Sequence, residues 1–234
     1  MNEKTSESNE MQYELILGNK AYSSWSLRGY LLFQPFGIAY DERIIPLHTS
    51  EFEAFQNELF PARQVPTLVV KHASNNLTNW DSLAIAEHLH EQHPEVGIWP
   101  ANVAARAAAR SLCAEMHAGF QTVRSTMPMN LKRQYATFQP TAEAVADIQR
   151  ICSLWSWAQQ HWDQNSSYLF GDRFTAADAF FAPVAARFKT YGITLEPHAA
   201  QYVNALLSHP DVVQFYRDGE KEDWVMEHNE LGID

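Results

Sequence analysis

With 234 residues the chain has room for one large domain or two small ones, and 46% hydrophobic residues is ample for a core, so global disorder is disfavoured. Its 17 Lys and Arg against 28 Asp and Glu leave a net charge of −11, which offers a nucleic acid no broad cationic face. No apolar run approaches the ~20 residues of a membrane span, and Met1 to Glu10 is polar and acidic without a signal-peptide core, so a cytoplasmic protein without nucleic-acid or membrane partners is expected.

In chain order, residues 1–10 read as a disordered lead-in. Tyr13-Glu-Leu-Ile-Leu-Gly18 alternates and then turns apolar, as a strand running into a buried sheet does. A polar turn, Asn19 to Ser24, precedes a helical pattern in which Leu27, Tyr30 and Leu31 share a face and which Pro35 and Gly37 end. Strands are expected at Arg43 to Leu47, at Val65 to Lys71 with Pro66 at its start, and at Leu77-Thr78. Helices are expected at Glu51 to Leu59 and at Asp81 to Gln92, the latter with Leu83, Ile85, Ala86 and Leu89 inward. The first strand–helix–strand unit predicts a parallel pair, and the two later strands an antiparallel hairpin. After a linker at 94–101 the pattern changes. Asn102 can cap an Ala-rich helix, and helices are expected at 103–127, 140–163, 175–190, 198–207 and 210–217, with no strand. The expected division is therefore a lead-in at 1–10, a mixed α/β domain at 11–93, a linker at 94–101 and an all-α domain at 102–234.

Metal chemistry is not expected. Cys113 and Cys152 lie far apart, and helical spacing does not converge His88, His90 and His93. Three other features carry chemistry, each with a plainer alternative. In Tyr22-Ser-Ser-Trp-Ser-Leu-Arg28, Ser23 or Ser24 can simply cap the first helix; equally, a hydroxyl at a helix N-terminus can donate a hydrogen bond to a thiolate. In Gln64-Val65-Pro66-Thr67, Pro66 is either a rigid start to a strand or a cis-proline that offers the Val65 backbone to an extended peptide. Asp81-Ser82 is either another cap or a carboxylate beside a helix-end hydroxyl, able to hold both ends of a zwitterionic amino acid.

Taken together, in this order, these features make the chain resemble a cytosolic glutathione transferase over about residues 12–220. The resemblance implies an N-terminal thioredoxin-like α/β domain, an all-helical C-terminal domain, glutathione as co-substrate, a small hydrophobic electrophile, a detoxification role and a homodimer. Val65-Pro66 is similar to the family's cis-proline motif, Asp81-Ser82-Leu83-Ala84-Ile85 to its Glu/Gln-Ser-x-Ala-Ile signature, and Gly171 to Asp178 to its C-terminal folding motif. Thr175 and Asp178 there spell a capping box, which makes them structural. Ser23 to Arg28 resembles the Ser-Ser-Cys-x-x-Arg motif of the zeta class, which includes maleylacetoacetate isomerases, but Trp25 stands in place of the cysteine.

The resemblance implies Ser23 as the thiol-activating hydroxyl, with Ser24 second and Tyr22 third. Trp25, Arg28, Gln64, Val65, Asp81 and Ser82 would hold glutathione, Gln64 and Val65 at its glycyl and cysteinyl backbone and Asp81 and Ser82 at its γ-glutamyl end. For Arg28 an interdomain salt bridge is equally open, and His48 either reaches the glycyl carboxylate or is solvated. The electrophile pocket is expected between the domains, walled by Tyr22 and Trp25 and by His117, Phe120, Gln121 and Arg124, whose spacings of three, four and seven place them on one face of a continuous helix. Two alternatives remain: a glutathione-dependent isomerase of a dicarboxylate, with Arg28 and Arg124 as its cations, and a non-catalytic glutathione- or ligand-binding protein.

Overall fold

The computed structural model describes residues 12–72, 76–162 and 166–232, and the expected lead-in at 1–10 lies outside them. Strands β1 (Gln12–Leu17), β2 (Asp41–Ile44), β3 (Thr67–Lys71) and β4 (Leu77–Asn79) form one sheet in the order β2-β1-β3-β4. β1 pairs parallel with β2, with Ile16 opposite Arg43, and antiparallel with β3, with Leu15 opposite Leu68; β3 and β4 are antiparallel. The second strand lies at 41–44 rather than 43–47, because Pro46 has no N–H to donate to a ladder.

Successive side chains of a strand point to opposite faces, and β1 serves two cores in this way. Tyr13, Leu15 and Leu17 belong to the main core, with α1 (Ser24–Leu31) and α3 (Ser82–Gln92). Ile16 faces a smaller cluster with Ile45, Phe55, Val65 and Val69 beneath α2 (Ser50–Glu58). Ile85, Ala86 and Leu89 of α3 are buried as expected, while Leu83 is only partly so. Gly29 of α1 lies where a Cβ would come within 2.5 Å of Pro66, so the absence of a side chain lets the helix rest on the start of β3.

The rest is helical: α4 (Val103–Ala118), α5 (Gln121–Thr126), α6 (Ala142–Trp162), α7 (Ala176–Thr190), α8 (Pro197–Ser208) and α9 (Pro210–Glu220). Asn102 caps α4 as expected, accepting from the N–H groups of Ala104 and Ala105. The helix expected at 103–127 is two helices. It stops at Gly119, and Phe120 takes a left-handed conformation (φ 56°) that no continuous α-helix contains. α7 runs through Pro183 and is buried on every side except at Lys189, as befits a helix packed centrally against α1, α4 and α8. Its start is the expected capping box: Asp178 Oδ2 accepts from the Thr175 N–H and hydroxyl, both at 2.9 Å.

Candidate functional site

The site grows from the turn between β1 and α1. Asn19 C=O accepts from the N–H groups of Tyr22 and Ser23, which closes the turn and delivers Ser23 to the N-cap of α1. There Ser23 Oγ accepts from the Ser26 N–H at 3.1 Å and from the Ser26 hydroxyl at 2.8 Å, and Ser26 Oγ in turn accepts from the Gly18 N–H at 2.8 Å. The chain Gly18 N–H to Ser26 to Ser23 is directional. Ser23 Oγ is the acceptor of both bonds, so its own proton is committed to neither. Ser24 turns the other way and accepts from Arg187 Nη2 of α7 at 3.2 Å. Replacing Ser26 with alanine strands the buried Gly18 N–H, and a loss of about 1–3 kcal/mol in a denaturant titration is expected; an unchanged midpoint would remove Ser26 from this account.

Tyr22 is not free to serve a thiol. Its hydroxyl donates to Glu230 Oε1 at 2.7 Å, and burial together with that carboxylate pushes its pKa up to about 12. Trp25 is half-buried, with two cations and an imidazole against its ring. The guanidinium carbons of Arg28 and Arg124 lie 4.5 and 4.7 Å from its ring centroid, and the His117 ring meets it edge-on at 5.2 Å. Arg28 is fully buried and makes no salt bridge among the described residues. Its Nε and Nη1 have no hydrogen-bond acceptor among the described residues, and burial, with Arg187 and Arg124 nearby, lowers its pKa to about 9. Arg187, also buried, donates to the carbonyls of Met127 and Pro183.

Gln64 and Asp81 meet at the other end. The Val65–Pro66 peptide is cis, and Gln64 Nε2 donates to the Trp80 carbonyl, next to Asp81. Asp81 Oδ1 caps α3 through the N–H groups of Leu83 and Ala84, while Oδ2 lies 3.2 Å from His117 Nε2. Ser82 Oγ is buried without a partner among the described residues. Burial lowers the His117 pKa, and Arg28 and Arg124 reinforce this against the pull of Asp81, so the imidazole is neutral at pH 7.

The single helix face expected for His117, Phe120, Gln121 and Arg124 does not exist, because the chain reverses at Phe120. His117 and Arg124 nevertheless meet at Trp25, where Arg124 Nη1 donates to the His117 carbonyl at 3.1 Å. Phe120 is buried in the core, and Gln121 is exposed with its amide on the Ala118 carbonyl. His48, on an exposed loop, stacks edge-on against His228. Sequence reasoning passed over Ser26, Arg187, Glu222 and Glu230. Arg187 alone carried a signal, as an arginine in the apolar run from Ala179 to Phe188.

Residues 22–92 match the N-terminal domain of glutathione S-transferases, and residues 132–216 match the C-terminal domain. The chain belongs to the glutathione S-transferase family. It is 27% identical, over 75% of this chain and 78% of the relative, to a probable maleylacetoacetate isomerase of Caenorhabditis elegans. A glutathione transferase homologue from Burkholderia, solved with bound glutathione, shares its fold at a TM-score of 0.65 and 24% identity, covering 91% of this chain and 100% of that one. A maleylacetoacetate isomerase from Anaeromyxobacter dehalogenans with glutathione in its active site does so at 0.66 and 24%, covering 92% and 99%. The four-stranded mixed sheet with its helices, followed by the helical half, is thus the glutathione transferase architecture. Among the described residues, no cluster of His, Cys, Asp or Glu could hold a metal ion, and no helix is long and apolar enough to cross a membrane.

Proposed function

We propose that this protein is a glutathione transferase in which the Ser23 hydroxyl donates to the glutathione sulfur and holds it as thiolate for attack on a small electrophile. The observation that carries this reading is the hydrogen-bond chain from Gly18 through Ser26 to Ser23, in which Ser23 Oγ, at the N-terminus of α1, is the acceptor of both its bonds and its own proton is free for a further acceptor. A free thiol of pKa ~8.5 is about 3% ionised at pH 7. Lowering it to ~6.5 raises the thiolate about 25-fold for roughly 2.7 kcal/mol of differential stabilisation. One charge-assisted hydrogen bond and a helix N-terminus are of that size together. Ser23 is a donor and not a covalent nucleophile: among the described residues no base accepts its proton. Gln64 and the Val65 backbone would take the glycyl and cysteinyl portion, and Asp81 and Ser82 the γ-glutamyl end, where the buried Ser82 hydroxyl has no partner among the described residues. The test is a titration of the protein with glutathione, following the thiolate absorbance across pH. A bound-thiol pKa about two units below the free value is expected, and binding with an unshifted pKa would reduce the protein to a carrier.

One observation favours a second reading. Arg28, Arg124 and His117 gather at Trp25, and two nitrogens of the buried Arg28 lack an acceptor, which is the electrostatic setting of a carboxylate-bearing substrate. The relative named as a probable maleylacetoacetate isomerase suits the same chemistry, in which the thiolate adds reversibly to a double bond of a dicarboxylate and leaves after rotation. Direct assay of maleylacetoacetate isomerisation separates the two. An isomerase should lose about tenfold or more in kcat/KM on Arg124→Gln, the loss of one charged contact, while turnover of a neutral electrophile stays near wild type. Equal effects on both substrates would sink the isomerase reading.

A further inference from the structure

The turn that presents Ser23 is gripped by residues about 200 positions away. The Lys20 and Ala21 N–H groups point away from the turn's own carbonyls and are taken by one side chain: Glu222 Oε1 accepts from Lys20 at 2.7 Å and Oε2 from Ala21 at 3.0 Å. Glu222 lies just beyond α9, and Lys132 Nζ donates to its main-chain carbonyl. Around it the grip continues. Leu131 N–H donates to the Ala21 carbonyl at 2.9 Å, Tyr22 donates to Glu230, and Glu230 is itself held by Asn130 and Arg133. Gly219 lets the end of α9 close on the turn, since a Cβ there would stand 3.0 Å from the Ala21 nitrogen.

From this geometry, and resting on the reading of Ser23 as the thiol-activating donor, we infer that Glu222 is a positioning residue for thiol activation: its carboxylate clamps two consecutive peptide N–H groups and so fixes where the Ser23 hydroxyl points. Two bonds from two oxygens to adjacent peptides define the orientation of both peptide planes, which one bond does not. Ser23 follows two residues later, and its N-cap bond is the next fixed point. A donor must be held to within about 0.5 Å to stabilise a developing or resting charge, and a displacement of about 1 Å can cost on the order of 100-fold. A neutral amide at position 222 has one oxygen where the carboxylate has two, so in the same pose it accepts from one N–H group and turns its own NH2 against the other. The fold needs only that these groups be satisfied, whereas thiol activation needs them held in one place.

The test compares full-length wild type, Glu222→Gln and Ser23→Ala in three readouts: the pKa of bound glutathione thiol, kcat and KM with a chromogenic electrophile, and thermal stability. Glu222→Gln is expected to raise the bound-thiol pKa by about one unit, a tenfold loss of thiolate below the pKa, and to lower kcat about as much with little change in KM for glutathione. A Glu222→Gln protein that melts earlier but keeps the wild-type thiol pKa and kcat overturns the inference while leaving Ser23 in place. A Ser23→Ala protein with an unshifted thiol pKa overturns both together. If Glu222→Gln does not fold, Lys132→Met, which frees the Glu222 main chain without touching its carboxylate, takes its place: a smaller shift in the same direction supports the inference, and wild-type values overturn it.

Discussion

Ser23→Ala is expected to lower kcat/KM with a good electrophile by about 10- to 150-fold at pH 6.5 and to raise the bound-thiol pKa by one to two units. The figure is the ~1.5–3 kcal/mol that a hydrogen bond to a charged group contributes, expressed as a rate and as a pKa. The rate deficit should shrink as pH rises through the higher pKa, because hydroxide then does the ionising that Ser23 no longer favours. It should shrink further because a more basic thiolate is a better nucleophile. Glutathione affinity at low pH, where the thiol is neutral in both proteins, should be nearly unchanged. The neighbouring hydroxyl is the control. Ser24→Ala removes the acceptor of Arg187 Nη2, a buried contact between α1 and α7, so its expected cost is stability, about 1–3 kcal/mol, with a small effect on the thiol. A thiol pKa shift larger for Ser24→Ala than for Ser23→Ala would reverse the assignment of the two serines.

Asp178→Ala is expected to be the most destabilising single substitution away from the site, at about 4 kcal/mol, a large part of the ~5–15 kcal/mol by which a native protein outlasts its unfolded chain. Asp178 is fully buried, and four donors converge on it: the Thr175 N–H and hydroxyl, the Leu169 N–H and the Tyr202 hydroxyl. Alanine leaves all four without an acceptor and removes the Asp178 half of the capping box of α7, the helix against which α1 and α4 pack. Chemical denaturation measures this directly, and a loss under about 1 kcal/mol would mean that water replaces the carboxylate. The same residue makes a signed prediction for pH. Burial raises its pKa to about 6, even against the hydrogen bonds that lower it, whereas an unfolded aspartate titrates near ~3.9. The folded state therefore keeps a proton that the unfolded state has released. The stability this contributes is fully present below about pH 4 and is lost as pH rises through about 6, to the extent of about 3 kcal/mol. The difference in stability between wild type and Asp178→Asn should narrow by that amount from pH 4 to pH 7. A difference that widens instead would place the folded pKa below the unfolded one.

Much of this protein is determined locally and is therefore legible in the order of its residues. The alternation of Tyr13, Leu15 and Leu17 with Ile16 sorts β1 between two cores. Asn102, Asp81 and Thr175 with Asp178 mark helix starts because a side-chain acceptor two or three residues ahead of orphan N–H groups needs no distant partner. The Tyr22 to Arg28 and Val65-Pro66 motifs are local in the same way, and both lie within residues 22–92, which match the family's N-terminal domain. The break at Phe120 escaped because the alanine-rich segment before it carries strong helix propensity, and a single reversal is decided by what the following residues pack against. The grouping of Arg28, Arg124 and His117 at Trp25, the turning of Ser24 onto Arg187 and the clamp of Glu222 on the Ser23 turn join residues up to about 200 positions apart. No spacing rule reaches that far: those contacts exist only because the packed helices bring the two ends of the chain to one turn, and hydrogen bonds and charges act over a few ångströms of space whatever their separation in sequence.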